Sequence, residues 1–471
     1  MTHKPFCSRR NFLLSSAAAG TLAAAPAGGL RAESEVPPRN QNTVTKIKKV
    51  FLAKPVPTWP RPDIDLGAEM KMINARLDEL KPGWSRPVEM VGGELLRVAG
   101  DVTRFWQTLG DADAVLAFNL TSGCGAMLDP IIDFGYPTLL FSQPYAGHDW
   151  SGIGDKQRQG KRVEVISSSS LEDLEPYLRV LDSMRRIRQT RILCLQSNTH
   201  KSNFVLGLEK QFGPEIHLLD YSELNALYQK SDTAQAAKLA DDFIAAAVGM
   251  VEPTREEVIR SMRLYLAIRE LLSRYSAEVI TVDCLGGFNR GELPAYPCLA
   301  WSMLNDMGKV GVCEADLETT LTQTLLTYLT GLPGFVSDPV IDTRTNTVIH
   351  AHCVSATRMD GPGQSAAPYI IRSHMEDNKG VSMQVKMRVG QEITLAKISR
   401  GKMLISTGTI LDNPDNPRGC RTKVTTRVAD ADRLLHNYTG GLHRVLVYGQ
   451  HVRDVKRMGR LMGFEVADEM G

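Results

Sequence analysis

The chain has 471 residues, 43% of them hydrophobic and 23% charged, with a formal net charge of +2. That length allows about three domains, with cores large enough to need no disulfide or metal staple. So small a charge, with no Lys/Arg stripe interleaved with aromatics, argues against nucleic-acid binding driven by phosphate neutralisation.

Residues 1–32 read as a twin-arginine signal peptide. Ser8-Arg9-Arg10-Asn11-Phe12-Leu13 is followed by an apolar run to Ala25 and by small residues at Ala25-Pro26-Ala27, the order that such signals require. The expectation is a bacterial protein, folded before export to the periplasm or beyond. The apolar run is short and broken by Gly, so no stable membrane span is expected after signal removal. Residues 33–44 read as a polar, Pro-containing linker. Cys7 lies in the signal; the other cysteines stand at 124, 194, 284, 298, 313, 353 and 420. They form no C-x-x-C pair, which excludes zinc knuckles and thioredoxin-like motifs and leaves mostly buried free thiols.

Residues 45–175 read as an N-terminal α/β domain. Apolar runs at 46–55, 112–120, 137–144 and 163–167 alternate with helical patterns such as 68–80, which indicates a parallel sheet. A central α/β domain at 176–345 repeats the theme, with runs at 191–196, 215–220 and 277–284 and helices at 233–248 and 256–274. The Gly-rich 285–290 segment follows a strand at its carboxyl end, where open sheets place ligands. It lacks a dinucleotide or Walker pattern and reads as a tight turn. The densest basic run, Arg185-Arg186-Ile187-Arg188 with Arg191, reads as a solvated helix end, with an anion site as the alternative. Residues 346–471 change character. Val381, Met383, Val385, Met387 and Val389 share one parity, the mark of a half-buried strand. A Gly390-Gln391 turn and a second strand make a hairpin. More strands follow at 402–411, 421–428 and 444–448, with helices at 431–437 and 452–462. The expected fold class is α/β: two Rossmann-like units with parallel sheets, then a β-rich, barrel-like C-terminal domain.

Chemistry concentrates in 309–353. Glu314 ends the apolar run Val310-Gly311-Val312-Cys313, either as the start of a helix, where the macrodipole favours it, or as a ligand. Asp338 is a turn residue before Pro339 or a second ligand. His350 and His352 lie two apart on a strand and should point the same way. His374, His436, His443 and His451 compete with them, and spacing alone does not choose. Two carboxylates and nearby histidines at element ends suggest a divalent-metal site. Hard oxygen donors with one imidazole suit manganese or magnesium, with iron, cobalt or zinc as alternatives.

Four blocks carry a resemblance: CEAD at 313–316, GFVSD at 334–338, AHC at 351–353, and GGLHRVLVYGQHVRDVKRMGRLMGFEV near the end. Asp338 follows Glu314 by 24 residues. From about residue 283 onward the chain resembles the L-fucose isomerase and L-arabinose isomerase family. The resemblance implies a metal-dependent aldose–ketose isomerase acting through a cis-enediol on a fucose- or arabinose-like sugar. It implies Glu314, Asp338 and His443 as metal ligands, with Mn2+ the foremost ion. It implies a homo-oligomer. Glu314 and Asp338 are the candidate catalytic proton carriers, and His352 ranks after His443, as a ligand or as a substrate-binding hydrogen-bond partner. Two positions depart from the pattern: Leu442 precedes His443 where a polar residue is expected, and 285–290 lacks a glutamine. An exported carbohydrate-binding protein without turnover, or another metal-assisted reaction such as epimerisation, are the other readings.

Overall fold

The computed structural model describes residues 44–471. The signal read at 1–32, with Cys7, and the 33–44 linker apart from Val44 lie outside the described residues.

Five strands build the first sheet: β1 (Thr45–Leu52), β2 (Val88–Leu96), β3 (Ala114–Asn119), β4 (Thr138–Ser142) and β5 (Val163–Ser167). They run parallel in the order β2-β1-β3-β4-β5. β3 and β4 are buried at every residue, which is why they read as unbroken apolar runs. β2 escapes that pattern. Gly92 and Gly93 interrupt it at φ 75° and 125°, and the register with β1 shifts there.

The second unit contains β6 (Arg191–Leu195), β7 (Glu215–Leu219), β8 (Gly249–Met250), β9 (Val279–Val282) and β10 (Val310–Cys313). Without β8, they form a parallel sheet in the order β10-β9-β6-β7. The 285–290 turn of the sequence reading is a short helix, Cys284–Asn289, capped by the Asp283 side chain.

The remaining strands are β11 (Phe335–Asp342), β12 (Thr347–His352), β13 (Tyr369–Arg372), β14 (Ser382–Val385), β15 (Glu392–Ser399), β16 (Lys402–Asp412), β17 (Thr422–Arg427), β18 (Arg444–Tyr448) and β19 (Val466–Asp468). Six of them close an antiparallel barrel, β15-β18-β11-β12-β17-β16, with β16 returning to β15. Closure removes open edges. β19 adds to β16 in parallel, while β13 pairs with β14 and β8.

Two expectations fail in this region. The hairpin at Gly390-Gln391 does not form, because β14 pairs with β13 while β15 pairs with β16 and β18. The hairpin comes one turn later. Ser399 pairs with Lys402, and Arg400 and Gly401 both take positive φ, 49° and 79°, the twist that two-residue hairpins prefer. Nor is β14 half-buried: Ser382 and Gln384 are as buried as Met383 and Val385.

One helix, Leu317–Thr330, ties the central sheet to the barrel. Residues 319–329 are all buried, so it has no solvated face. Three of its threonines are satisfied by the helix itself: the Thr320, Thr322 and Thr324 hydroxyls each donate to the carbonyl four residues back at 2.7 Å. Leu321, Leu325 and Leu326 share a core with Val312 of β10, Val336 of β11 and Val445 of β18. The helix thereby fixes the carboxyl end of β10 against one rim of the barrel.

Candidate metal centre

β10 ends at Cys313, and the chain leaves it by an unusual route. Glu314 and Ala315 take φ 64° and 51°, a left-handed region that residues other than glycine rarely enter. Glu314 therefore does not begin the helix. Asp316 caps it instead, accepting from the Thr319 amide at 2.9 Å. Strain of this kind persists only where the surroundings impose it. Here it aims the Glu314 side chain, 40% exposed, at two histidines of the barrel rim.

Asp338 is not a turn residue. It lies within β11, opposite Ala351 of β12. Pro339 is tolerated because β18 pairs with β11 only at Phe335, Val336 and Ser337, which leaves no ladder on that flank for proline to break. His352 closes β12. His443 immediately precedes β18, whose register sets Arg444 opposite Ser337 and so brings His443 alongside Asp338.

The four residues converge. His443 Nε2 lies 3.7 Å from Glu314 Oε2 and 3.7 Å from Asp338 Oδ1. His352 Nε2 lies 3.9 Å from Glu314 Oε1, and the two imidazoles meet edge to face at 5.5 Å. One donor atom each from Glu314, His352 and His443 falls within 4.8 Å of the others. That tight set differs by one member from the Glu314, Asp338 and His443 that the resemblance implies.

The other histidines stand elsewhere. His350, despite its parity with His352, is buried between Ser337 Oγ at 3.3 Å and Thr426 Oγ1 at 3.0 Å. Burial, then the Arg444 charge, lowers its pKa to about 3: it is a neutral core histidine. His374 is buried and stacked on Tyr296 at 4.3 Å. His436 is exposed on its helix, and His451 stands at the start of the Val452–Met462 helix.

Sequence reasoning missed Asp316 and Lys397. Asp316 Oδ2 faces His443 Nδ1 at 2.9 Å and accepts from Lys397 Nζ at 2.7 Å. Nδ1 is therefore assigned the hydrogen, and Nε2 turns its lone pair toward Glu314 and Asp338. Burial is the largest influence on the Asp316 carboxyl and raises its pKa, but the His443 hydrogen bond and the Lys397 charge hold it well below the usual range. Burial likewise lowers His443, and Asp316, Glu314 and Asp338 together carry it above its ordinary value. The signals for these two residues were faint. Asp316 shows N-cap spacing, Asp-x-x-Thr, and Lys397 interrupts an apolar strand while 1% exposed; neither announces its partner.

Two carboxylate oxygens and an imidazole lone pair thus face one another at distances too long for a hydrogen bond. An ion held by Glu314, Asp338 and His443 would fill gaps of this width. An imidazole oriented by a carboxylate through its other nitrogen is the common form of a metal-ligating histidine. The donor set fits a divalent cation.

No family model matches the chain. The chain is similar to the sulfoquinovose isomerase of Clostridium sp. (strain MSTE9), with 23% identity over 343 residues, covering 68% of this chain and 74% of that protein. A match of 343 residues is longer than the stretch from 283 to the C-terminus, so the likeness extends well ahead of the motif blocks. At that coarse level it supports a sugar isomerase.

Proposed function

We propose that this protein is a divalent-metal-dependent aldose–ketose isomerase acting through a cis-enediol. The observation that carries the reading is the meeting of Glu314, Asp338 and His443, with His443 Nε2 3.7 Å from an oxygen of each carboxylate. A cation shared among them would relieve that arrangement. Manganese is the foremost ion, with magnesium, iron, cobalt and zinc as alternatives. When bound, it supplies Lewis acidity toward two adjacent substrate oxygens.

The chain's own residues do the rest. Glu314 and Asp338 take a proton from one sugar carbon and return it to its neighbour. Asp316 holds His443 in one tautomer and one orientation. His352, with its side chain 4% exposed, lines the same mouth and meets a substrate hydroxyl. A fucose- or arabinose-like sugar is the leading substrate. Sulfoquinovose is the second, because the similar clostridial protein is named for it. In this reading the protein is exported by the twin-arginine route and works as a homo-oligomer. No helix among the described residues is long and apolar enough to cross a membrane.

The test is incubation with manganese and a panel of sugars in D2O, including L-fucose, L-arabinose and sulfoquinovose, followed by NMR. Ketose formation that disappears with chelator and in Glu314→Gln is the expected result. Manganese bound with sugar but without product would point to a binding protein instead. Inversion at one carbon without ketose would point to epimerisation.

A further inference from the structure

The basic run at the end of the Glu175–Gln189 helix is not the solvated helix end of the sequence reading. Arg185 and Arg191 are buried. They line a cavity of about 300 Å3 together with Arg86 and Arg186, facing the carboxylates of Asp182 and Glu278. The cavity opens at the amino edge of the central sheet, where Arg191 begins β6 and Glu278 precedes β9. Glu314 follows the carboxyl end of β10, so the two places lie at opposite edges of one parallel sheet.

The four guanidiniums are not equally matched. Arg185 is committed to Asp182 at 2.7 Å, Gln189 at 2.9 Å and Thr45 at 3.2 Å. Arg191 holds Glu215 at 3.1 Å and the Tyr275 carbonyl at 3.0 Å. Arg86 donates through Nη2 to the Tyr328 carbonyl at 3.1 Å, but its Nε is buried with no hydrogen-bond partner. The nearest carboxylate oxygen, Asp182 Oδ2, is 3.7 Å away. Arg186 stacks on the Tyr328 ring at 3.8 Å, and no carboxylate among the described residues pairs with it. Burial first, and then the charges of Arg186 and Arg179, lower the Arg86 pKa against the pull of Asp182.

A buried N–H without an acceptor is costly and rare. Two guanidiniums that repel across a cavity give it a demand for negative charge. Their planar forks match the oxygen pairs of a tetrahedral anion, which a lysine would not. We propose that this cavity is a binding site for a small tetrahedral oxyanion of the phosphate or sulfate class, gripped between Arg86 and Arg186. The anion would join the 85–87 segment ahead of β2 to the Glu175–Gln189 helix and so bridge the two α/β units. The site is separate from the metal centre and does not depend on the isomerase reading.

The probe is inorganic phosphate, titrated into the full chain by calorimetry with chelator present and chloride matching ionic strength. Melting temperature is followed in parallel. Saturable binding in the millimolar range or tighter is expected, with a melting temperature that rises as the site fills. Arg186→Gln, which breaks no ion pair, and Arg86→Gln should each weaken binding about tenfold. Arg104→Gln, at an exposed arginine elsewhere, should leave it unchanged. Phosphate acting no differently from chloride, or binding that survives both cavity variants, would overturn the assignment. So would a cavity variant that alters oligomer mass while phosphate affinity stays the same, because the cavity would then serve a protein contact. Binding retained in Glu314→Gln separates this site from the metal centre.

Discussion

Arg444 and His443 are neighbours in sequence, yet they belong to constellations of opposite character. The Arg444 side chain is 2% exposed and pairs with Glu469 through two bonds, 2.5 and 3.1 Å. It also donates to the carbonyls of Thr439, Gly441 and His443 at 2.7, 3.2 and 3.0 Å, and lies over the Tyr438 ring at 3.8 Å. Charge is balanced and the donors are met, so nothing is left for a ligand. Across the same rim, His443 shows a lone pair to two carboxylates, one of them on strained backbone and open to solvent. Complete pairing marks architecture. Carboxylates and imidazoles gathered at a rim, one of them on strained backbone, mark chemistry.

The largest expected effect tests the architectural half. Glu469→Gln keeps the shape but leaves a guanidinium buried with no counter-charge. It should cost about 3–5 kcal/mol of stability, read from the urea midpoint, with manganese affinity of the folded fraction unchanged. A loss under about 1 kcal/mol would place this pair among weak surface bridges instead. Asp316→Asn tests the boundary between the two constellations. Asn still caps the helix, but its amide no longer anchors both Lys397 and His443 as a carboxylate. Metal affinity should fall about 10- to 100-fold, with a smaller stability loss than Glu469→Gln. Unchanged metal affinity would remove His443, or its orientation, from the site.

The same contrast explains what the sequence reveals. β3, β4, β6 and β9 are legible because both faces of a parallel sheet are buried and the strands become plain apolar runs. Barrel strands are legible as short runs at close spacing, but closure is not. It depends on β15 meeting both β16 and β18, one pairing local and the other between residues 49 to 55 apart in the chain. Glu314, Asp338 and His443 are legible through motif blocks, which sit at element ends where side chains are free to converge. His350 and His352 show the limit of parity. Two residues on one strand differ in role because one lies inside the barrel and the other at its rim. Asp316 and Lys397 were hidden because their partners are far along the chain: Lys397 is 81 residues from Asp316, and His443 is 127.

The smallest effect is also the one that separates strain from charge. Glu314 carries both: φ of 64° and a carboxylate facing His443 Nε2 and His352 Nε2. Glu314→Gln removes the charge and keeps the strain. Glu314→Gly removes both, since glycine adopts this φ freely, although it also loosens the unfolded chain. In chelator, Glu314→Gly should therefore match or exceed the parent's stability, by up to about 1 kcal/mol, and Glu314→Gln should fall between the two. With manganese the parent moves from least to most stable of the three, because only the parent gains the stability of a bound ligand. Denaturation curves with and without manganese read all of this from three proteins. If both variants are instead less stable than the metal-free parent by more than about 1 kcal/mol, the Glu314 carboxylate contributes to the fold as Glu469 does, and the distinction between the two sides of the rim disappears.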